Sequence, residues 1–226
     1  MRVDLEKVVT KNGAVTFLDI LGWKGIWQKD KNAINKLHRL IMDITNRAQE
    51  TTSVVGQEDG APRGISTTVL SISDTIAIFT PGTPYYALKI HADICQLAVP
   101  ESIKRGIPLR GATSYGQFSI KNNIMLGPAV DESASWHEAT DWMGVILTPS
   151  AKFQLETDVP ENWITYSNIP FKKGKFPHLD YCVDWKIEMN ELYRLFADAG
   201  PHIPEIAPKY LNTLAFLEWR SKSNTK

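Results

Sequence analysis

"VTFLDILGWKG", residues 15–25, reads as a buried strand: Val15, Phe17, Leu18, Ile20 and Leu21 are apolar, and Gly22 ends the run. Asp19 sits in its middle, where an unpaired carboxylate is costly to bury. A second stretch, "VLSISDTIAIF" (69–79), poses the same problem with Asp74. The fold turns on whether these two acids, far apart in the chain, lie on neighbouring strands.

Outward from residues 14–21, a helical pattern runs from about 24 to 50, with Ile34, Leu37, Leu40/Ile41, Ile44 and Ala48 at i, i+3, i+4 spacing. "TTSVVGQEDGAPRG" (51–64) is a polar Gly/Pro loop. "ISTTVLSI" and "TIAIF" flank Ser73-Asp74, which predicts a tight hairpin. Pro84 opens a second helix, with Ala87, Ile90/His91, Ile94 and Leu97/Ala98 on one face. A strand follows over 108–120, then a hairpin at Lys121-Asn122-Asn123 and a short strand ending at Gly127. Residues 129–142 read as a third helix, 144–149 as a buried strand, and a short helix follows Pro149.

This β-α-β-β-α-β order is the ferredoxin-like alternation, an α+β fold with helices layered on one antiparallel sheet. Beyond residue 160 the pattern weakens. "NWITYSNIPF" (162–171) is compatible with a strand, and 184–199 and 208–222 with two tail helices. The expected division is a catalytic domain over 1–158 and a C-terminal extension over 159–226 that packs on the core or at a dimer interface.

Lysine plus arginine equals aspartate plus glutamate at 25 each, so net charge offers no polyanion-binding surface, and nucleic acid polymers lose weight as partners. Cys95 and Cys182 are isolated, without zinc-site or disulfide spacing. "MRVDLEKVVTKNG" lacks a signal peptide's apolar segment, and no run is long enough to span a bilayer. The expectation is a cytoplasmic protein without membrane contact.

In the ferredoxin-like topology the first strand neighbours the hairpin, so Asp19 and Asp74 would face each other. Two close carboxylates repel unless a cation lies between them, and a pair of divalent ions about 3.5–4 Å apart suits phosphoryl chemistry. The backbone of Ile20-Leu21-Gly22-Trp23, turning into a helix start, would offer N–H groups to phosphate oxygens. The plainer reading gives each aspartate an ordinary turn or capping role. His38 and His91 read as packed or surface histidines, and His137-Glu138 lacks the second histidine of HExxH. Trp136 and Trp142 read as core or dimer contacts.

"FLDILGW" and "SISDTIAIF" resemble the two metal-binding segments of class III nucleotidyl cyclases, F-x-D-[IV]-x-G-[FW] and a hairpin with a G/S-D turn. "GPAVDESAS" (127–135) resembles the family's helix start G-x-x-V-N-x-A-x-R in Gly127, Val130 and Ser133. Within the family, "LRGATSYGQF" and "GPAVDESASWHEATDWMGVILTPSA" look most like the stand-alone pyrimidine cyclases of bacterial anti-phage (Pycsar) defence. The resemblance spans residues 14–150. It implies conversion of UTP or CTP to the 3′,5′-cyclic nucleotide. It also implies two cations, Mn²⁺ or Mg²⁺, on Asp19, the Ile20 carbonyl and Asp74, and a head-to-tail homodimer with composite sites. Phe17, Leu21, Gly22 and Trp23 would then line the substrate.

Two family positions depart. The ribose-orienting asparagine is Asp131 here, and the transition-state arginine is Ser135. Loss of that arginine should cost on the order of 3 kcal/mol, by analogy with lost oxyanion donors. Arg110, Lys24 and Arg63 are the substitutes considered, and Asp131 is expected to contact ribose or accept the proton. The base-reading positions are Leu70 and Ile124, an apolar pair unable to hydrogen-bond a purine edge. UTP is favoured over CTP on resemblance alone. An adenylate or guanylate cyclase with a remodelled pocket, and a degenerate nucleotide sensor, are the alternatives.

Overall fold

A computed structural model describes residues 9–155, 158–199 and 204–223, apart from the side chains of Trp27 and Ala199. Along the chain run β1 (Lys11–Ile20), α1 (Ile26–Lys29), α2 (Ala33–Val55), β2 (Thr68–Ile72), β3 (Thr75–Pro81), α3 (Pro84–Lys104) and β4 (Leu109–Lys121). There follow β5 (Ile124–Leu126), α4 (Pro128–Trp136), β6 (Val145–Leu147), α5 (Pro149–Phe153), β7 (Trp163–Thr165), β8 (Tyr181–Val183), α6 (Met189–Ala199) and α7 (Ala207–Ser223).

The sheet order is β2-β3-β1-β4-β6-β8-β7, with β5 paired to β4. Its first four strands are antiparallel and form the ferredoxin-like core that the alternation predicts. The β2–β3 turn is Ser73-Asp74, with Ser73 at φ 58°.

β1 is apolar almost throughout because both its faces are covered. Ala14, Leu18 and Ile20 join the larger core, which holds Leu40 and Ile44 of α2 and Ile90 and Ile94 of α3. Val15 and Phe17 point the other way, into a smaller cluster with Phe79, Phe118, and Ala129 and Val130 of α4. Side chains alternate along a strand, so Asp19 shares the α4 face with Phe17.

A polar chain threads the larger core. Thr113, Thr16, His91, Thr80, Thr67 and Thr52 are linked in that order by side-chain hydrogen bonds of 2.6–3.0 Å. His91 is fully buried, and burial pushes its pKa down to about 3, so the ring is neutral. The expectation of a packed histidine holds at this position.

Several local expectations are corrected. The helix expected over 24–50 is interrupted at Asp30, whose Oδ1 accepts a 2.8 Å bond from the Asn32 amide, and α2 continues to Val55 because Thr51, Thr52 and Val55 are buried. The sheet is not wholly antiparallel, since β6 runs parallel to β4. β8 is a strand that the sequence pattern does not mark. α4 stops at Trp136 rather than 142. The next residues leave the helix to pair with 170–172: Thr140 bridges Phe171, and the Asp141 amide donates to the Pro170 carbonyl at 2.7 Å. That exit carries Trp142 into the core, stacked on Tyr166 and edge-on to Phe216 of α7. Through β7, β8 and α7, residues beyond 158 are thus part of one sheet and one core.

Gly127 caps α4 at φ 133°, and a Cβ there would lie 2.6 Å from the Gln117 carbonyl oxygen. Glycine is what lets α4 begin against β4. Ser133, buried, then fastens the helix: it donates to the Ala112 carbonyl at 2.8 Å and accepts from the Phe17 amide at 3.1 Å. Among the described residues no helix is long and apolar enough to cross a membrane.

Candidate active site

The register sets Asp19 of β1 opposite Thr75 of β3 on one side and Arg110 of β4 on the other. Residues directly opposite each other share a face, so Arg110 lies beside Asp19 on the α4 side. Its Nη2 and Nε donate to the same carboxylate oxygen, Oδ2, at 3.0 and 3.2 Å. Its Nη1 donates to the Thr140 carbonyl at 3.2 Å, and Nη2 approaches Glu138 Oε2 at 3.6 Å. Both partners are buried, Asp19 at 8% exposure and Arg110 at 5%. Burial raises the Asp19 pKa, and the adjacent guanidinium opposes that without cancelling it.

The chain leaving α4 passes over this pair. Asp19, His137 and Glu138 bring one ligand atom each within 4.8 Å of one another. His137 Nδ1 lies 2.6 Å from the Ala134 carbonyl oxygen, an acceptor only, so Nδ1 carries a proton and Nε2 is the nitrogen that could ligate a metal. Its ring lies 6.1 Å from that of Phe17.

Asp74 is placed by the backbone. Its carbonyl accepts from the Ile20 amide at 3.2 Å, which holds the hairpin turn at the end of β1. The side chain is half-buried and stands outside the Asp19–His137–Glu138 cluster. The structure therefore brings Asp19 and Arg110 together and sets the residue Asp74 alongside Ile20.

The other predicted site residues lie as follows. Of the amides expected to meet phosphate, those of Ile20 and Leu21 are already committed, to the Asp74 and Pro108 carbonyls at 3.2 and 2.8 Å. Those of Gly22 and Trp23 remain in an exposed turn, with Gly22 at φ 78° and open space around it. Phe17 is buried against Phe79. Leu70 is half-buried at the edge of the same cluster, on β2 opposite Ala77, whereas Ile124 is 67% exposed. Asp131 is exposed in the first turn of α4, and Ser135 Oγ bonds back to its carbonyl at 2.7 Å.

In the sequence His137-Glu138 reads only as an incomplete HExxH on a continuous helix. The early stop of α4 moves them, and that stop depends on partners at 170–172. The carboxylate oxygens at this rim suit Mn²⁺ or Mg²⁺, and the one imidazole suits a transition metal.

No family model matches this chain, nor does any curated protein. Among solved structures, it resembles the catalytic core of a rhodopsin-guanylyl cyclase with converted specificity, in complex with ATPalphaS. That match has TM-score 0.52 and 15% identity, over 79% of this chain and 98% of the other. It also resembles an adenylate/guanylate cyclase/hydrolase from Silicibacter pomeroyi, with TM-score 0.50 and 14% identity, over 78% and 96% of the two chains. At such identities the likeness speaks of architecture. With its ferredoxin-like core, its hairpin turn beside the end of β1 and α4 laid across the sheet, the chain has the catalytic-domain fold of class III nucleotidyl cyclases.

Proposed function

We propose that the protein is a metal-dependent nucleotidyl cyclase that converts UTP to 3′,5′-cyclic UMP and pyrophosphate, a signal nucleotide of anti-phage defence. The observation that carries the reading is the buried Asp19 carboxylate beside the hairpin turn of Asp74, in a cyclase fold. The reaction is attack of the ribose 3′-oxygen on the α-phosphorus, in line with the departing pyrophosphate. Two divalent cations, Mn²⁺ or Mg²⁺, held by Asp19, Asp74 and the Ile20 carbonyl, would activate the 3′-hydroxyl and neutralise the triphosphate.

The chain's own residues do the rest. Gly22 and Trp23 offer backbone amides to phosphate oxygens. Leu70 and Ile124 leave a purine edge without hydrogen-bond partners, which favours a pyrimidine. Asp131, supplied by the second subunit of a head-to-tail homodimer, contacts ribose or receives the proton. Arg110 is committed to Asp19, so the charge for the α-phosphate falls to Lys24 or Arg63, both exposed.

Purified protein with Mn²⁺ should form cyclic UMP from UTP in preference to products from CTP, ATP and GTP, and Asp74→Ala should abolish this with the fold intact. Turnover of ATP or GTP instead, or full activity of Asp74→Ala, would overturn the reading. A second reading is binding of nucleotide without turnover. It draws on Ser135 being folded back on its own helix, where a guanidinium would serve the transition state. Tight UTP binding with no product under either metal would select it.

A further inference from the structure

We infer that His137 and Glu138 complete a cation site with Asp19, and that the imidazole makes this site prefer Mn²⁺ to Mg²⁺. The inference deepens the metal-dependent reading above by naming ligands from the α4 exit, and its test needs no nucleotide.

Four features support it. The ligand atoms of the three side chains already lie within 4.8 Å of one another. The histidine is presented as a ligand: Nδ1–H is held by the Ala134 carbonyl at 2.6 Å, which leaves Nε2 as the ring nitrogen able to ligate. A backbone acceptor on the far nitrogen is the usual support of a metal-bound histidine. Nε2 stands 3.9 Å from Glu138 Oε1, which is too far for a hydrogen bond and leaves room for an ion between them.

Arg110 explains how two carboxylates tolerate each other here. It contacts Asp19 only through Oδ2, and its approach to Glu138 is to Oε2. Oδ1 of Asp19 is left without a hydrogen bond from Arg110. Arg110 is thus a positioning residue that orients Asp19 and offsets one negative charge. Two carboxylates and one guanidinium leave a net charge of minus one, which a divalent cation would reverse. Magnesium prefers oxygen donors and keeps several waters, whereas manganese accepts imidazole readily, and this is the origin of the preference.

The test is Mn²⁺ titration of the nucleotide-free protein followed by pulsed electron paramagnetic resonance, which detects a nitrogen-14 nucleus bonded to manganese. The expected result is one bound Mn²⁺ with an imidazole nitrogen coupling. His137→Ala should remove the coupling, weaken Mn²⁺ at least about tenfold (about 1.4 kcal/mol) and narrow the Mn²⁺/Mg²⁺ preference. His137→Gln, which keeps a polar side chain, should behave alike, and Glu138→Gln should weaken binding with the nitrogen coupling retained. Ser135→Ala is the control and should change nothing. Bound Mn²⁺ without nitrogen coupling, or a coupling that survives His137→Ala, overturns the inference, as does failure of wild-type protein to bind Mn²⁺. Cyclic nucleotide production is read separately. A nitrogen-ligated ion without turnover refutes the proposed function alone, and turnover with an all-oxygen ion refutes this inference alone.

Discussion

Acidification should destabilise the protein through His91, by an amount the structure sets. The folded-state pKa is about 3, against an ordinary 6.5 when the chain is unfolded. A group whose proton affinity is depressed by folding leaves the unfolded state binding more protons, so stability falls as pH drops through the unfolded value. Between pH 7.5 and 4.5 the loss is about two units at 1.36 kcal/mol each, or about 2.7 kcal/mol. It continues towards pH 3 and then levels off. Urea unfolding followed by tryptophan fluorescence at the two pH values is a suitable assay. With a slope of about 2.5 kcal/mol/M, the midpoint should move down by about 1 M. Carboxylates also titrate in this range, so the comparison is with His91→Leu, whose profile lacks the His91 contribution. That variant leaves Thr16 bonded to Thr113, and Thr80 to Thr67. The stability difference between wild type and variant should shrink by about 2.7 kcal/mol from pH 7.5 to 4.5. If it changes by less than about 0.5 kcal/mol, His91 is not the buried neutral base described here.

Arg110→Met should destabilise the metal-free protein by about 3 kcal/mol, because a buried carboxylate loses its partner, and thermal melting will read this directly. Added Mn²⁺ should restore part of the loss by supplying the missing positive charge. Phe216→Ala should cost about 4 kcal/mol by opening a cavity beneath Trp142, Tyr166 and Trp185, and a melting temperature within a degree of wild type would contradict the packing of α7 into the main core.

The sheet core was legible because its signals are local. Apolar runs with β-branched residues mark β1 and β3, Ser73-Asp74 marks the hairpin, and Pro84 and Gly127 mark where α3 and α4 begin. Each depends on backbone sterics and on burial of adjacent side chains, which a short window contains. The neighbourhood of Asp19 and the Ser73-Asp74 turn followed from element order, since a ferredoxin-like alternation places β3 beside β1.

The site was legible only in part. In the sequence Arg110 is a candidate substitute for the family arginine, yet pairing Asp19 with it requires the β1–β4 register, which no local pattern records. His137 and Glu138 lie where helical spacing is apt to continue. Their position over Asp19 is decided by Thr140 meeting Phe171 and by Trp142 entering the core under α7. β8, three residues long, carries too little periodicity to be read alone and exists because it bridges β6 and β7.

What the amino-acid order determined by itself was therefore the kinds of elements and their succession. Tertiary structure decided which charges meet, because a strand register and a helix end are set by contacts between residues tens of positions apart.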